Sequence, residues 1–533
     1  MIEHRIRRLE WIVAILLSSA VVILLLIRTA YAGPLWRDEC GGVELAMMPR
    51  ISDILQNFQY QTFPPLFALI IRGYTALFGA SDLALRSFGL AVGLGTIGIA
   101  WLNSRRLVND LPLIFLALLG LNPTFLISGT SMRGYGVGSL LFLLALGLAI
   151  KAFRQANSLS LALVALACLA SINCLANNVP LVGAMALSAL IVLLLRRRFR
   201  GAILVSILTG LIALSFAPIA RAYFAADWRM VVRTYSGSTS LLHRFASALG
   251  EPLWLMGSLW AMIAVLVLFL SVCRIRSDWR DDRRGSTNLV AFLVLFVGLS
   301  ILVYYGFLKT LGYPTQSWYY LTFISALAGA IDLLSALVSR SAAARLMRLI
   351  FASIALIVIP FTLRHSIVQR ATNMDVVATE LQKRATPSDL IVVNPWYLGL
   401  SFQWHYRGHT PWRTIPAIDE LRIHRYDLLK AAMEKSDPLA DARLAIQQTL
   451  KSGNRVWIVG GARPPEPGLP LSLPPAPHTE IGWSGQAYVN VWSMQLGDFL
   501  QRHVIQGDVA LPPAADVNPD ENVPVLVAEG WQD

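Results

Sequence analysis

The stretch WIVAILLSSAVVILLLI, residues 11–27, decides the fold class, because it carries no charge and its only polar side chains are two serines. A helix needs about 17–25 apolar residues to cross the hydrocarbon core of a bilayer. Similar runs recur along the chain as far as Phe361. A backbone that spans a bilayer must satisfy its hydrogen bonds internally. The sequence therefore predicts an α-helical polytopic membrane bundle.

Composition agrees with a chain that has lipid as its main solvent. The 533 residues are 55% hydrophobic and 14% charged, whereas soluble domains carry roughly 25% charged residues. The net charge of +13 is also typical of nucleic-acid-binding proteins. Here, however, the basic residues cluster in short loops between apolar runs, which is a signal of membrane topology. We therefore expect no nucleic-acid partner.

Eleven spans are predicted from the apolar runs. They cover residues 11–31, 83–103, 111–128, 135–153, 158–175, 180–195, 201–220, 252–273, 288–308, 318–338 and 345–361. The first follows a basic start and reads as an uncleaved signal anchor, although Ala30-Tyr31-Ala32 resembles a signal-peptidase site.

The segment 63–79 is apolar but short, and it carries Arg72. If it does not span, every basic cluster between spans faces the cytoplasm, as the positive-inside rule requires. If it did span, all later clusters would face outward. We therefore predict that 63–79 lies along the outer membrane surface or re-enters it.

The predicted topology divides the chain into cytoplasmic and outer segments. It puts the N-terminus in the cytoplasm and the segments 32–82, 221–250, 309–317 and 362 onward outside. The predicted domains are a transmembrane domain (1–361) whose outer loop 32–82 carries surface helices, an extracytoplasmic α/β domain (362–505) and a loose acidic tail (506–533). Within the soluble part, strands are expected at 389–394, 454–459 and 487–492, and helices at 371–386, 397–406, 425–435 and 439–452.

Two features of the outer loop could carry chemistry. Asp38 and Glu39 are adjacent carboxylates close to the membrane surface, where a charge is energetically unfavourable unless it is solvated or has a function. The alternative interpretation is an acidic pair that caps a surface helix at 39–48. Pro64 and Pro65 predict a helix start. Beyond this loop, Arg133 lies outside the third predicted span, as an interfacial anchor or as a ligand for a lipid phosphate.

The order of these motifs resembles a known family. One span, Asp38-Glu39, a Pro64-Pro65-Leu66 segment that ends in Leu77-Phe78-Gly79, and then Ala84-Leu85-Arg86 resemble the polyprenyl-phosphate-sugar-dependent glycosyltransferases of the GT-C fold. The likeness is greatest to the bacterial branch related to protein O-mannosyltransferases and lipid A aminoarabinose transferases. It covers roughly residues 10–155, and the later chain matches only in its general plan.

The resemblance implies a reaction and its residues. A sugar on a polyprenyl phosphate is transferred to the hydroxyl of an acceptor glycan, lipid or protein, and the lipid phosphate leaves. Asp38 matches the catalytic position that takes or orients the acceptor proton, and Glu39 matches its usual neighbour. Arg133 is the first candidate for binding the donor phosphate, Lys309 the second and Arg221 a weaker third.

The resemblance also implies a substrate pocket, and the sequence differs from the family in two places. The pocket would include Pro64, Pro65, Tyr135, Gln316, Trp318 and Tyr319, although the last two are also typical of an interfacial aromatic belt. The segment before Arg133 has no second carboxylate, and the region before Trp318 lacks the family's Arg. No cofactor is required by the sequence, and a divalent metal has no support in it.

Two other functions remain open at this stage. A transporter or flippase for a lipid-linked sugar is expected to show internal repeats and ionisable groups or broken helices in mid-span. The sequence shows no internal repeat, and the acidic pair lies at the mouth of a helix, not in mid-membrane. A catalytically inactive assembly subunit is compatible with the departures. The expected location is the cytoplasmic (inner) membrane of a bacterium, with membrane lipid as a partner.

Overall fold

The computed structural model describes residues 2–155, 157–225, 238–278, 286–312, 315–339, 341–476 and 485–533. Within these ranges, nine helices are long and apolar enough to span a bilayer. They are Glu3–Tyr31, Asp82–Val108, Gly134–Arg154, Ala176–Leu195, Phe199–Ala225, Leu253–Asp278, Ser286–Leu311, Ser317–Val338 and Ala342–Val368. The sequence predicted a span at each of these places, and a count of eleven is not confirmed.

The predicted span 111–128 is a broken segment inside the protein. It consists of the short helices Leu113–Phe115 and Pro123–Ser128, joined by a π-helical turn at Leu116–Gly120. Asn122 begins the second helix by accepting a hydrogen bond from the Phe125 N–H. Nearly all side chains of the segment are buried by neighbouring helices. Hydropathy cannot distinguish burial in protein from burial in lipid, and this broken segment is not among the helices long enough to span a bilayer, so the prediction of a regular span here is not confirmed.

Two apolar helices are shorter than the nine spans. Ser158–Cys174 has 17 residues, and Pro65–Phe78 has 14. At 1.5 Å per residue, the second is only about 21 Å long, against a hydrocarbon core of about 30 Å. Its length agrees with the prediction that the segment 63–79 does not span.

The segment between the first two spans carries two further helices, Arg37–Ala46 and Ile51–Asn57, followed by a 3₁₀ turn at Phe58–Gln61. The alternative interpretation placed the acidic pair at the cap of this helix. In the structure the helix begins at Arg37, so Asp38 and Glu39 lie in its first turn. Trp36 is its N-cap residue, and the Glu39 side chain accepts a hydrogen bond from the Trp36 N–H at 3.4 Å. A helix, Ser238–Leu249, also precedes the span Leu253–Asp278.

The C-terminal part is an α/β domain built on one mixed sheet. Its strands are β1 (Leu390–Val393), β2 (Trp412–Thr414), β3 (Val456–Val459), β4 (Val504–Leu511) and β5 (Val525–Trp531), in the order β2-β1-β3-β5-β4. β1 is parallel to β2 and β3, and β5 is antiparallel to β3 and β4. The helices are Met374–Arg384, Leu398–His405, Tyr426–Met433, Ala440–Lys451 and Gly485–His503.

The predicted strand 487–492 is part of the helix Gly485–His503. Its buried residues include Tyr488, Val489, Trp492 and Leu496, a spacing of three to four residues that places them on one helical face. The β-branched and aromatic residues of this segment favour a strand locally. Packing of the helical face against the sheet overrides that propensity.

The acidic tail is not loose. Residues 504–511 and 525–531 form β4 and β5, and β5 lies between β3 and β4. The predicted boundary at 505/506 therefore falls inside β4. Val525 and Val527 are buried at alternate positions of β5, a period that the acidic and proline-containing composition of the tail obscured.

The C-terminal domain holds the segment that follows the first span. The Ala371 N–H donates to the Ala32 carbonyl at 2.8 Å, and His405 Nε2 lies 3.0 Å from the Leu35 carbonyl oxygen. The Arg37 N–H donates to the buried Glu521 carboxylate at 3.0 Å. These contacts fix the backbone immediately before Asp38.

Candidate active site

Glu39 is buried and bound on both carboxylate oxygens. Arg86 donates to Oε1 at 2.8 Å and to Oε2 at 2.9 Å, and the Met132 N–H donates to Oε1 at 2.8 Å. The same arginine donates to the carbonyls of Gly33 and Pro34. Glu39 therefore joins three segments of the site, and its geometry suits a positioning residue more than a contact with the acceptor.

Asp38 faces the other way and is about 20% exposed. Its Oδ2 lies 2.5 Å from Arg133 Nη1. Its Oδ1 lies 3.4 Å from His424 Nε2 and 3.7 Å from Arg37 Nε. Burial opposes the charge of this carboxylate, but Arg133, together with His424 and Arg37, outweighs burial and holds the pKa of Asp38 well below its usual range. Asp38 is therefore a charged hydrogen-bond acceptor at neutral pH.

Arg133 is held between aromatic rings. Its guanidinium lies 4.8 Å from the centre of the Phe63 ring and 5.7 Å from that of Tyr135. Arg133 is also the N-cap residue of the helix Gly134–Arg154, which fixes its backbone. Its Nε is buried and has no hydrogen-bond partner. One donor of this guanidinium is thus available after Asp38 has been satisfied.

A cavity of about 70 Å³ lies beside Arg133, where the first span ends. Its lining includes three arginines, Arg28, Arg86 and Arg133, and two carboxylates, Glu39 and Asp520. Trp36 and Trp318, whose rings meet at 6.2 Å, also belong to the lining. The cavity thus combines positive charge with apolar walls at the end of a membrane-spanning helix, which suits an anion attached to a lipid.

Among the described residues, Arg28 is a cation of this cavity that forms no ion pair. It is 6% exposed and donates to the carbonyls of Ile367 and Gln369, but its Nε has no partner. Within the described part of the chain, no carboxylate lies at ion-pair distance from it. A buried cation without a counter-ion is unfavourable, so the site favours the arrival of an anion. The sequence analysis missed Arg28 because it reads as the basic flank of a span.

The sequence analysis also missed His424, which lies in the C-terminal domain before the helix Tyr426–Met433. It contacts Asp38, as given above, and its Nδ1 lies 3.3 Å from Gln61 Oε1. Gln61 precedes it by 363 residues. No local pattern marks this histidine, because its neighbours in space come from a distant part of the chain.

The predicted pocket residues divide into two groups. Trp318 and Tyr135 line the cavity, and Tyr319 packs on Tyr135 with ring centres 5.8 Å apart. Pro64 and Pro65 are the N-cap and first residue of the helix Pro65–Phe78, as predicted for a helix start, but they are not part of the cavity lining. Gln316 is half-buried at the N-cap of the 3₁₀ turn Ser317–Tyr320 and is also absent from the lining.

The structure does not bring Lys309 or Arg221 to the cavity lining. Both side chains are exposed, each near the end of a long helix, Ser286–Leu311 and Phe199–Ala225 respectively. Charge that flanks a span is favoured at such ends for membrane anchoring alone. The arginines that line the cavity together with Arg133 are Arg28 and Arg86.

Acidic, histidine and cysteine side chains do not form a metal-type cluster. In the residues that the structure describes, no three of them come together in an arrangement that could hold a metal ion. Asp38 is instead surrounded by the side chains of Arg133, Arg37 and His424.

No protein-family model matches the chain, and no curated protein matches it. Among solved structures, it is similar to ArnT from Cupriavidus metallidurans bound to undecaprenyl phosphate, with 13% identity, a TM-score of 0.48, and 84% of this chain and 92% of that chain covered. It is also similar to the apo Archaeoglobus fulgidus oligosaccharyltransferase, at 12% identity, a TM-score of 0.48, and 83% and 69% coverage. The arabinofuranosyltransferase AftD from Mycobacteria is 16% identical, with a TM-score of 0.42 and 97% and 40% coverage. These similar proteins are GT-C glycosyltransferases.

Proposed function

We propose that this protein is a membrane glycosyltransferase that moves a sugar from a polyprenyl phosphate to an acceptor hydroxyl. The observation that carries the proposal is the pairing of an arginine-lined cavity at the end of the first span with a carboxylate at its side. A lipid-phosphate donor needs both an anion site near the membrane and a group that handles the acceptor proton.

The donor phosphate would occupy the cavity. Arg28 and Arg133 both line the cavity, and among the described residues each has a buried Nε that lacks a hydrogen-bond partner, so a phosphate would supply a partner that the fold does not. Arg28 lies at the end of the helix Ile2–Tyr31, so a phosphate there would leave its polyprenyl chain close to the membrane. The sugar would then extend from the cavity towards Asp38.

The reaction forms two bonds and breaks two. The acceptor oxygen bonds to the anomeric carbon as its O–H bond breaks, and the carbon–oxygen bond to phosphate breaks with its electron pair remaining on phosphate. Guanidinium groups stabilise the charge that develops on the leaving phosphate. Asp38 orients the acceptor hydroxyl and receives its proton.

Donor binding would prepare Asp38 for this role. In the structure, Arg133 is paired with Asp38 and lowers the pKa of that carboxyl, which makes it a weak base. A phosphate that shares Arg133 adds a negative charge nearby, and a like charge raises the pKa of a carboxyl. The base would therefore gain strength when the donor is in place.

Charge distribution supports an outer-face site. The positive-inside pattern puts the segment 32–82, Arg133 and the C-terminal domain on one side of the membrane, and in the structure these parts meet at Asp38. A cell that presents polyprenyl-phosphate sugars at the outer leaflet of its cytoplasmic membrane, as bacteria do, would suit this arrangement.

The test compares Asp38→Asn with Asp53→Asn in proteoliposomes supplied with a panel of polyprenyl-phosphate sugars and envelope acceptors. Asp53 is a matched carboxylate of the same outer segment that only caps a helix, accepting from the Arg50 N–H. We expect Asp38→Asn to lower kcat by at least about 10²-fold with insertion and folding intact, and Asp53→Asn to keep wild-type turnover. Undiminished transfer by Asp38→Asn would refute the assigned role, and movement of the donor across the bilayer without its consumption would indicate a transporter.

A further inference from the structure

A crevice of about 440 Å³ opens in the C-terminal domain where two parallel strands end. Pro395 follows β1, and Gly460 and Gly461 come directly after β3. The helix Gly485–His503 supplies a further wall through Asn490 and neighbouring side chains. The volume lies within the range of about 300–1,000 Å³ that is typical of pockets for small ligands. The crevice shares no lining residue with the arginine-lined cavity.

The order of the strands explains why a crevice forms at this point. β1 lies between β2 and β3 and is parallel to both. The helix that follows β1 packs on one face of the sheet, where Phe402 shares an apolar core with Val393. The helix that carries Asn490 packs on the other face, where Trp492 shares a core with Ile458. The chain therefore leaves the two strand ends towards opposite faces, and such switch points are where ligands bind in open α/β sheets.

Two glycines and a buried asparagine shape the crevice. Gly460 and Gly461 have φ angles of +87° and +82°, which glycine adopts without strain. A Cβ on Gly460 would lie 2.0 Å from the Asn394 carbonyl oxygen. Asn394 is buried, and its Nδ2 donates to the Gly461 carbonyl at 2.8 Å and to Ser493 Oγ at 2.9 Å. The two strand ends and the helix are thus fixed to one another, so the crevice is preformed.

Most polar side chains that line the crevice are neutral. They are those of Tyr397, Gln486, Asn490 and Ser493. Gln486 Nε2 donates to Asn490 Oδ1 at 3.0 Å. Within the described part of the chain, the Gln486 carbonyl oxygen and the Asn490 amide hydrogens have no partner, so the pair offers an acceptor and donors to a ligand. A hydroxyl group is itself both donor and acceptor, so a ligand with several hydroxyls matches this wall.

The crevice does not favour an anionic ligand. Arg463, a cation of the lining, is paired with Glu466 at 3.1 Å. Residues 461–466 after β3 form irregular structure, whereas phosphate-binding turns of α/β sheets lead into a helix whose N-terminus faces the anion. The chemistry of the crevice therefore fits a neutral carbohydrate better than a nucleotide or a free phosphate.

Tyr397 connects the crevice to Asp38. The Arg37 guanidinium lies 4.8 Å from the centre of the Tyr397 ring, and Arg37 Nε is 3.7 Å from Asp38 Oδ1. Glu521 binds the Arg37 backbone, and Pro524, three residues later, lines the crevice. A chain of sugars held in the crevice would therefore pass Tyr397 and Arg37 to reach Asp38.

We propose that the acceptor is a neutral glycan, and that this crevice binds sugar units of it that lie away from the reacting hydroxyl. The inference rests on the proposed function and names its acceptor class. The amides of Gln486 and Asn490 bind sugar hydroxyls, and the Tyr397 ring adds an apolar surface for the C–H groups of a sugar. The C-terminal domain thereby selects the acceptor, while the membrane bundle binds the donor.

The first experiment measures binding in the absence of transfer. Full-length protein in nanodiscs is mixed with neutral di- to tetrasaccharides of hexoses and N-acetylhexosamines, and saturation-transfer NMR reports which of them bind. Asn490→Trp, which fills the crevice, should abolish binding, and Asn490→Ala, which removes one amide, should weaken it by about fivefold. The alanine variant keeps the test decisive if the larger side chain unfolds the domain.

Gln501 provides the matched control, because it is an exposed amide of the same helix outside the crevice lining. Gln501→Trp and Gln501→Ala should bind the oligosaccharides like wild type. Inorganic phosphate and a nucleoside diphosphate serve as competing probes and should displace none of the crevice-bound sugar.

The second experiment measures transfer to an oligosaccharide that binds. Asn490→Ala should raise KM for this acceptor by about fivefold and leave KM for the lipid donor unchanged, whereas Gln501→Ala should change neither. Oligosaccharide binding that is absent in wild type or equal in the Asn490 variants, displacement by phosphate, or an unchanged acceptor KM would overturn the inference. Binding that depends on Asn490, without transfer from any donor by the wild-type protein, would instead refute the proposed function and the acceptor role and leave a carbohydrate-binding crevice.

Discussion

Asp38 and Glu39 are consecutive residues whose environments give them different tasks. Glu39 is satisfied by Arg86 and by the Met132 N–H, so its carboxylate holds segments together. Asp38 keeps partial exposure and contacts Arg133 and His424, so it can meet a substrate. Two adjacent carboxylates therefore divide into a positioning residue and a candidate catalytic residue because the helix turns them towards different neighbours.

Glu39→Gln is expected to destabilise the protein strongly. The change leaves Arg86 buried without its counter-ion, and breaking a buried pair in this way typically costs about 3–5 kcal/mol. Thermal unfolding of the purified protein in detergent would show a large fall in Tm. Asp53→Asn, at an exposed helix cap, serves as the control and should shift Tm by little. An unchanged Tm in Glu39→Gln would mean that the Arg86 pair does not hold these segments.

Arg28→Gln is expected to weaken binding of undecaprenyl phosphate by at least about tenfold. A charge-assisted hydrogen bond contributes about 1.5–3 kcal/mol, and Arg28 has no carboxylate whose charge the change would leave unpaired. Quenching of tryptophan fluorescence reports binding, because Trp36 and Trp318 line the cavity. Arg221→Gln, at an exposed helix end, should bind like wild type. Equal weakening by both variants would indicate a general effect of charge and not the cavity.

At the level of helices, small residues decide how closely two elements approach the site. The helix Asp82–Asn103 passes so near the loop before Arg133 that a Cβ at Gly89 would lie 1.9 Å from the Thr130 carbonyl oxygen. The contact is with backbone, which cannot rotate away. This helix also carries Arg86, so its position sets both the Glu39 pair and the loop that presents Arg133.

Gly89→Ala is therefore expected to displace the loop 129–133 and to lower both Tm and donor binding. Gly98→Ala is the matched control in the same helix, because nothing lies within 4 Å of an added Cβ there, and alanine favours a helix over glycine by about 0.5–1 kcal/mol. It should leave Tm equal or slightly higher. The two Tm values measured side by side check the prediction, and equal behaviour of the two variants would contradict it.

In the whole molecule, the C-terminal domain is part of the candidate active site. The last 30 residues contribute β5 to the sheet between β3 and β4, and Glu521 binds the backbone next to Asp38. His424 reaches Asp38 from the same domain. The membrane bundle supplies the cavity, and the C-terminal domain holds the segment that carries the carboxylate.

Deletion of residues 504–533 is expected to unfold the C-terminal domain and to abolish transfer. It exposes the edge of β3 and removes Glu521 from Arg37 and Thr372. Limited proteolysis should then cleave within 370–476 faster than it does in the intact protein. As a control, Gln532→Ala changes the chain end without removing a strand and should retain the wild-type digestion pattern. A resistant, active deletion variant would show that the tail is dispensable.

Local properties of the sequence determined the membrane bundle and the nine spans found in the described part of the chain. Asp38 and Arg133 were predicted as members of one site from the resemblance to a family. Hydropathy and the positions of basic loops are local properties of the sequence, so they predict spans without knowledge of the tertiary structure. The helical start at Pro65 and the strands β1 and β3 were predictable for the same reason.

Only the tertiary structure decided the rest. It buried 111–128 in protein, put the acidic tail into the sheet, and assembled the cavity from Arg28, Arg86 and Arg133. It also brought His424 to Asp38. These charged side chains meet their partners only when distant segments pack together. The residues on either side of a charge therefore predict neither its partner nor the direction of its side chain.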